Sequence, residues 1–322
     1  MDKNLALDLV RVTEVATIKA GLWLGKGDKN AADGAAVEGM RKMFNHIDVD
    51  GRIVIGEGEM DEAPMLYIGE KVGHVVEGVE KIDIAVDPLD GTTIISKAQD
   101  HAIAVIAATP QGKMLHAPDM YMDKIAVGPK GKGVVHLDMP LEHNITALAK
   151  VLDKKVEDVM VVMLDRERHQ KHIDVCRKLG CRVKLVSDGD VTTAMATCFE
   201  DSNIDLMIGS GGAPEGVLAA AAVKCLGGDF QGRLLPETQE EIERCESMGL
   251  EIGQLLTMED LVAGDEVHFA CTAVTDNDFL KGIKFDGHGK AVTESIAMRT
   301  ETGTIRTIRT VHILDKKEKY ID

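Results

Sequence analysis

Two aspartates that could bind a cation stand three positions apart in the run D-P-L-D-G-T at residues 87–92. The run follows alternating apolar residues, which predict a strand that ends at Asp87. The proline between Asp87 and Asp90 bends the backbone, so that both carboxylates can point to one place. Hard divalent cations prefer carboxylate oxygens, and bound cations in turn attract phosphate. The run therefore predicts hydrolysis of a phosphate ester, with a glycine for close approach and a threonine hydroxyl beside it.

Further acidic side chains are predicted to lie where strands end or helices begin. Glu57 stands between two glycines after a short apolar strand, and Glu215 follows another strand in a glycine-rich segment. Lys29 and Asp33 lie one turn apart on a predicted helix. Ligands of open α/β sheets collect outside the carboxyl ends of strands, so these carboxylates could hold two or three Mg²⁺ or Mn²⁺ ions. Taken alone, Asp33 is better interpreted as a solvated helix residue, and Glu57 could equally be a turn residue.

Polar residues of the second half could bind a sugar phosphate. Arg166 and Arg168 follow a predicted strand, and two guanidinium groups there could hold a distal phosphate. Asp188 and Asp190 follow the next strand and could accept hydrogen bonds from sugar hydroxyls, and Tyr121 could present its own hydroxyl. Each of these is, by itself, an ordinary surface-loop residue.

Two other patterns in this half point away from known binding motifs. The segment 209–216 is rich in glycine, but it does not match the dinucleotide pattern G-x-G-x-x-G. A plain connection from strand to helix is its simpler interpretation. A Walker A loop is also absent, because the glycines around Lys26 have the wrong spacing and no Ser or Thr follows the lysine. His169 and His172 are three positions apart on a predicted helix, where a solvated face is a better interpretation than a metal pair.

The pattern of apolar residues predicts an α/β fold with two lobes. In the first half it predicts helices at 4–23, 29–47 and 63–72 and strands at 53–55, 82–86 and 101–108. From about residue 158 strands and helices alternate, which indicates a largely parallel sheet covered on both faces. We predict an N-terminal metal- and phosphate-binding lobe at 1–150 and a C-terminal α/β sugar-phosphate-binding lobe at 151–322. The boundary is open, because tail strands at 267–274, 295–299 and 304–314 can return to the first sheet.

Composition excludes several classes of function. A net charge of −17 and only 3% aromatic residues argue against nucleic acid or an anionic membrane as a partner. The six cysteines lack the spacing of zinc ligands and are expected to stay reduced, which favours the cytoplasm. No run of about 18 apolar residues is present to span a membrane. Because the overall charge repels an anionic substrate, cations and arginines must reverse the field locally.

The run at 87–92 resembles the metal-dependent, lithium-sensitive sugar- and inositol-phosphatase superfamily. The rest of the chain is similar to the class II fructose-1,6-bisphosphatase branch, over stretches 27–33, 53–69, 117–124, 165–169, 188–190 and 209–216. The resemblance spans nearly the whole chain and implies a layered α-β-α-β-α sandwich that forms homodimers or homotetramers. It also implies hydrolysis of the 1-phosphate of fructose 1,6-bisphosphate by a metal-activated water.

The resemblance assigns a role to each candidate residue. The metal ligands would be Asp33, Glu57, Asp87, Asp90 and Glu215. The substrate would contact Asp90, Gly91, Thr92, Tyr121, Arg166, Glu167, Arg168, Asp188, Gly189, Asp190 and Gly212. The catalytic residues would be Lys29, Glu57, Asp87 and Thr92, with Thr92 orienting the attacking water or helping to deprotonate it. Members of the branch often have glutamate at position 90, so the shorter Asp90 would hold its metal differently or more weakly.

Three alternatives stay open from the sequence. The enzyme could also accept sedoheptulose 1,7-bisphosphate. It could instead be an inositol or nucleotide 3′-phosphatase, which would not need two arginines for a second sugar phosphate. A sugar-phosphate sensor without catalysis is the non-enzyme alternative. The sequence leaves equally open whether the reaction serves gluconeogenesis, glycerol use or a pentose cycle.

Overall fold

The computed structural model describes residues 1, 4–58 and 63–317. The helices are α1 (Leu5–Gly21), α2 (Lys29–Phe44), α3 (Thr92–Ser96), α4 (Leu141–Val151), α5 (Gln170–Leu179), α6 (Asp190–Ala196), α7 (Ala213–Cys225), α8 (Gln239–Ser247) and α9 (Met258–Leu261). The strands are β1 (Asp50–Ile55), β2 (Lys71–Val72), β3 (Lys81–Asp90), β4 (Ile103–Pro110), β5 (Tyr121–Val127), β6 (Met160–Leu164), β7 (Arg182–Val186), β8 (Leu206–Gly212), β9 (Asp229–Leu235), β10 (His268–Ala273), β11 (Lys284–Phe285), β12 (Lys290–Arg299) and β13 (Thr304–Ile313). Within the described part of the chain, every helix is too short or too polar to reach across a bilayer.

The chain folds into two compact units. The first holds Met1–Met114 together with Gly264–Asp322, and the second holds Leu115–Ala263. These bounds differ from the predicted division near residue 150, because β5 pairs along its whole length with β8 and β9. Pairing between strands so far apart in sequence leaves no mark in the local pattern. Each unit combines helices with a mixed sheet, so the predicted α/β class is confirmed.

The sheet of the first unit is covered by α1 and α2. Its strand order is β11-β12-β10-β4-β3-β1-β2, with β13 also paired to β12. The apolar stripes of the two helices and the inner face of the sheet form one core, which includes Leu9, Val12, Met40, Phe44 and Ile84. The helices predicted at 4–23 and 29–47 are confirmed as α1 and α2, with slightly shorter ends. This core supports the end of β3, where the two spaced aspartates stand.

The helix predicted at 63–72 is wrong. In its place a loop leads into the short strand β2, and Leu66 has a positive φ of 55°, which no α-helix tolerates. The Leu66 N–H donates to the carboxylate of Glu70, and its carbonyl accepts from the Glu57 N–H at 3.0 Å. Glu70 in turn pairs with Arg41 at 2.5 Å. These tertiary contacts outweigh the helical spacing of the apolar residues, and they hold the segment against the loop that carries Glu57.

The sheet of the second unit is mixed, so the prediction of a largely parallel sheet is wrong here. Its order is β7-β6-β8-β5-β9, in which β6 runs parallel to β7 and β8 while β5 is antiparallel to both of its neighbours. Helices cover both faces. Ile125, Val161 and Ile208 pack with α4 and α5 on one face, and Met122 lies against Gly216 of α7 on the other. Strands β6, β7 and β8 end at one edge, which we call the C-terminal edge of this sheet.

A buried histidine predicts how the stability of the first unit depends on pH. His312 is 1% exposed, and burial together with Lys317 lowers its pKa from the ordinary 6.5 to about 4. Its Nε2 lies 2.8 Å from Thr293 Oγ1 and 3.8 Å from Glu14 Oε1. The unfolded histidine takes up a proton below pH 6.5 but the folded one only near pH 4, so acid favours unfolding within that window. The contribution of neutral His312 to the free energy of unfolding is intact above pH 6.5. We expect this contribution to fall by up to roughly 3 kcal/mol on acidification to pH 4.

Comparison with the variant His312→Asn isolates the effect of the imidazole on the pH dependence of stability. Burial raises the pKa of Glu14, so protonation of that carboxyl favours the folded state and opposes the histidine. Both proteins keep Glu14, and the difference between wild type and His312→Asn in urea unfolding therefore reports on the imidazole. We expect that difference to shrink steadily between pH 6.5 and pH 4. A difference that is constant with pH would contradict the assignment.

Candidate active site

A one-residue bulge in β3 brings the two aspartates to the same side of the sheet. Asp87 pairs with Val105 and Asp90 with Ile103, so three steps along β3 match two along β4. Val105 and Ile103 are two positions apart and face one side, and their partners Asp87 and Asp90 therefore do so as well. In an unbroken strand, residues three apart would face opposite sides. Pro88 is tolerated because it lies inside the bulge.

The residues after the bulge are held by short local contacts. The Leu89 N–H donates to Asp87 Oδ1 at 3.0 Å, which fixes that half-buried carboxylate beside the bend. Asp90 is 5% exposed. Gly91 follows with a φ of 102°, a conformation that favours glycine, and Thr92 begins α3. The strand does not end at Asp87 as predicted, because it continues through the bulge to Asp90 before the glycine turn and the threonine follow.

The other candidates of the first unit lie on α2 and after β1. Lys29 is exposed at the start of α2, which is capped by the side chain of Asp28. Asp33 lies one turn further along and is half-buried, and that burial raises the pKa of its carboxyl. Glu57 is half-buried in the loop directly after β1. The residues that follow it in the family-like stretch, 59–62, lie outside the described residues.

In the second unit a buried lysine pairs with one of the candidate aspartates. Lys124 on β5 is wholly buried, and its Nζ donates to Asp190 Oδ2 at 2.5 Å. The other oxygen of Asp190 is buried without a hydrogen-bond partner among the described residues. Glu215 lies in the first turn of α7, and its Oε2 is likewise buried and has no such partner. Burial raises the pKa of Glu215, an effect that Lys124 opposes and Asp190 reinforces.

The glycine-rich segment makes room for these two carboxylates. β8 continues through Gly212 and α7 starts at the next residue, so the segment is a direct connection from strand to helix. A methyl group at Gly211 would overlap Asp190 Oδ2, and one at Gly212 would overlap Glu215 Oε2. The simple strand–helix interpretation is therefore confirmed. Its glycines are required by close approach of side chains rather than by a bound pyrophosphate.

Arg168 contacts the sheet of the second unit at its C-terminal edge. It lies on the face opposite to the one that carries Lys124. Its Nε donates to Ser210 Oγ at 2.9 Å, and its Nη2 donates to the Ser210 carbonyl at 2.8 Å. The guanidinium lies over the ring of Tyr121, 4.8 Å from the centroid. Tyr121 is 42% exposed, and Glu167 beside the arginine is exposed too. The structure thus brings Arg168 and Tyr121 together and leaves Glu167 directed to solvent.

Arg166 joins the ends of β6 and β7. Its Nη1 donates to the carbonyl of Asp165 at 3.0 Å, and its Nη2 donates to the carbonyl of Ser187 at 2.7 Å. Asp188 follows at once, and burial raises the pKa of its carboxyl while Arg166 opposes that shift. The N–H of Gly189 donates to Asp188 Oδ1 at 3.2 Å, and Gly189 itself has a φ of 95° before α6 begins. Candidate substrate-binding groups therefore follow each of these neighbouring strands.

The oxygen donors of the candidate ligands suit a hard divalent cation. Among residues 1, 4–58 and 63–317, the structure contains no group of three or more His, Cys, Asp or Glu side chains placed to hold a metal. The buried Oε2 of Glu215, which has no hydrogen-bond partner in that part of the chain, is an observation that fits such an ion. Oxygen is also the donor that Mg²⁺ and Mn²⁺ select.

The chain matches a family model described as bacterial fructose-1,6-bisphosphatase, glpX-encoded, over residues 3–312. It belongs to this family. It is 46% identical over 335 residues to the class 2 fructose-1,6-bisphosphatase of Haemophilus influenzae, with both chains covered in full. It is 44% identical over 331 residues to fructose-1,6-bisphosphatase 1 class 2 of Escherichia coli K12, covering 99% of this chain and 98% of the relative. The resemblance found in the sequence is therefore confirmed.

Sequence reasoning missed how three residues of this family member contact the candidate site residues. Lys124 was not singled out, although a charged residue inside the apolar strand 122–127 must find a partner when buried. Ser210 carried no signal beyond its place among glycines. The solvated interpretation of His169 is wrong, because its side chain is 2% exposed and contacts Ser210.

Proposed function

We propose that the chain hydrolyses the 1-phosphate of fructose 1,6-bisphosphate and releases fructose 6-phosphate and inorganic phosphate. The observation that carries the proposal is similarity over the full length of the chain to relatives named fructose-1,6-bisphosphatase class 2. Every candidate residue of the sequence analysis lies within the matched region, residues 3–312. The candidates Arg166, Asp188 and Glu215 follow the ends of β6, β7 and β8. Ligands of α/β sheets bind at such strand ends.

We propose Asp33, Glu57, Asp87, Asp90 and Glu215 as the ligands of two or three Mg²⁺ or Mn²⁺ ions. Such ions, when bound, supply positive charge that activates a water and offsets the charge of the phosphoryl group. The bulge in β3 supports this proposal, because it turns Asp87 and Asp90 to the same side. The shift in the pKa of Asp33 supports it too, since a half-buried carboxylate gains from a nearby cation.

The remaining candidates would align the substrate. Thr92 would hydrogen-bond the attacking water through its hydroxyl, and Lys29 would add positive charge near the phosphoryl group. Arg166 and Arg168 would hold the remote phosphate, and the binding energy of that phosphate would fix the reacting end in line. Phosphoryl transfer needs positioning and charge stabilisation more than covalent chemistry, so no protein nucleophile is required.

The sugar itself would lie among groups of the second unit. The buried Oδ1 of Asp190 has no hydrogen-bond partner in the described structure and could accept a hydrogen bond from a hydroxyl group of the ketose. Asp188 would do the same, while Gly189 and Gly212 allow close approach of the backbone. Asp90, Gly91, Tyr121 and Glu167 complete the proposed substrate contacts. We further propose that the enzyme is a homodimer or homotetramer and works in the cytoplasm, where its cysteines stay reduced.

Phosphate release from a panel of sugar phosphates tests the function. We expect release from fructose 1,6-bisphosphate with Mn²⁺ or Mg²⁺, and return to the background rate when a chelator is added. An arm with sedoheptulose 1,7-bisphosphate shows whether the enzyme is bifunctional, and an arm with an inositol monophosphate tests the more distant phosphatase. Binding of fructose 1,6-bisphosphate without release under any cation would contradict hydrolysis and favour a sensor.

A further inference from the structure

His169 is a neutral ring with a single tautomer, as its partners require. Its Nδ1 lies 2.8 Å from the carbonyl oxygen of Leu164, which can only accept, so Nδ1 carries the proton. The Ser210 N–H donates to Nε2 at 2.8 Å, so Nε2 is bare. The ring is 2% exposed, and a side chain at Gly209 would collide with it. Both nitrogens are therefore committed to the backbone of two different strands.

The ring replaces hydrogen bonds that the sheet itself lacks at this point. β6 and β8 are paired only through Val161 with Leu206 and Val162 with Met207, so their ladder stops before the C-terminal edge. His169 then connects the last residue of β6 to the end of β8. An unpaired backbone N–H buried at Ser210 would be costly, and the imidazole supplies its acceptor.

Ser210, whose backbone is held by His169, in turn holds the side chain of Arg168. The serine accepts one hydrogen bond through its hydroxyl and one through its carbonyl, both from the same guanidinium. The ring of Tyr121 covers one face of that group. A guanidinium has five N–H groups, so these contacts leave those of Nη1 directed away from the serine and open to an anion. The orientation of Arg168 therefore depends on where the backbone of Ser210 lies.

We propose that His169 is a positioning residue that, through Ser210, fixes Arg168 for binding the remote phosphate of the substrate. The inference rests on the proposed function, in which Arg168 holds that phosphate. It assigns the histidine no contact with the substrate and no part in proton transfer. Its effect should therefore appear in binding of the remote phosphate, while Arg166 still aligns the bound substrate for the chemical step.

Two matched variants and two substrates test the proposal. His169→Leu removes the acceptor for the Ser210 N–H, whereas in His169→Gln the amide oxygen can replace Nε2. We expect His169→Leu to raise KM for fructose 1,6-bisphosphate about tenfold, the effect of misplacing one charge-assisted hydrogen bond, with kcat within about twofold. Fructose 1-phosphate lacks the remote phosphate, and its kinetics should not change. His169→Gln should recover most of the loss.

Ser210→Ala is the second test, should the leucine variant fail to fold. It keeps the Ser210 N–H bonded to His169 Nε2 and removes the hydroxyl, which accepts from Arg168 Nε and also lies 3.2 Å from that imidazole nitrogen. We expect a smaller rise in KM, again only for the bisphosphate. Equal losses with both substrates, or no loss with either, would overturn the proposal, as would failure of His169→Gln to recover.

A binding measurement separates this inference from the proposed function. Calorimetry measures the affinity for fructose 6-phosphate, whose phosphate Arg168 is proposed to bind, without any turnover. If the wild type releases no phosphate, the proposed function fails. A loss of fructose 6-phosphate affinity in His169→Leu that His169→Gln restores would still support the positioning role. Wild-type protein that does not bind fructose 6-phosphate, or variants that bind it equally well, would overturn it.

Discussion

Replacing Asp87 with asparagine should lower turnover of fructose 1,6-bisphosphate by about a thousandfold or more, which corresponds to roughly 4 kcal/mol of lost transition-state stabilisation. Asparagine has the same size and keeps an oxygen that can accept the Leu89 N–H, so the bulge should survive. What is lost is the negative charge beside Asp90 on the same side of the sheet. In the proposed site, that charge helps to hold the cations on which the reaction depends.

Initial rates at saturating Mn²⁺ or Mg²⁺ measure this effect, and thermal melting shows that the variant is folded. Asp48→Asn is the matched control, because Asp48 precedes β1 and its side chain is 67% exposed in a pair with His74. We expect the control to keep full activity. Full activity in Asp87→Asn at ordinary cation concentrations would defeat the metal–carboxylate proposal.

The second large effect is on stability and concerns Lys124. Lys124→Met keeps the length of the side chain but leaves the Asp190 carboxylate buried without its cation. Breaking a buried ion pair in this way costs about 3–5 kcal/mol, because the remaining charge is no longer compensated. For a unit of this size we expect the melting temperature of the second unit to fall by roughly 10 °C.

Two further variants show whether the buried pair is the cause. In Lys124→Met/Asp190→Asn both charges are gone, and much of the lost stability should return. Lys130→Met breaks a pair with Glu200 in which the side chains are 69% and 85% exposed, so it should leave the melting temperature nearly unchanged. If Lys124→Met melts like Lys130→Met, the pair does not contribute as described.

Features set by neighbouring residues could be predicted from the sequence. Thr238 and Glu241, which have the three-residue spacing of a capping box, form one in which each side chain accepts a hydrogen bond from the backbone of the other. The strand before Asp87 and its bend were also evident from alternation and a proline. Such features need only a few adjacent residues, and tertiary contacts did not override them.

Features set by distant residues could not be predicted. The helix expected at 63–72 is a loop because Glu70 binds both Leu66 and Arg41, contacts that apolar spacing does not encode. Lys124 and Asp190 are 66 positions apart, and although a buried lysine needs a partner, no nearby residue identifies Asp190 as that partner. The roles of the candidate site residues stay predictions for the same reason, since they depend on groups brought together from many parts of the chain.

The strand order of the first sheet has a consequence for the nascent protein. β4 is buried along nearly its whole length between β3 and β10, yet β10 follows the whole of the second unit in the chain. The strands of the second unit pair with one another, and its two ends already meet where the Leu115 N–H donates to the carbonyl of Leu261 at 2.9 Å. During synthesis on the ribosome, the apolar edge of β4 therefore stays unpaired until β10 is made. The second unit, whose strands pair only with one another, can fold before that. Synthesis of the first unit thus starts before that of the second unit and is completed after it.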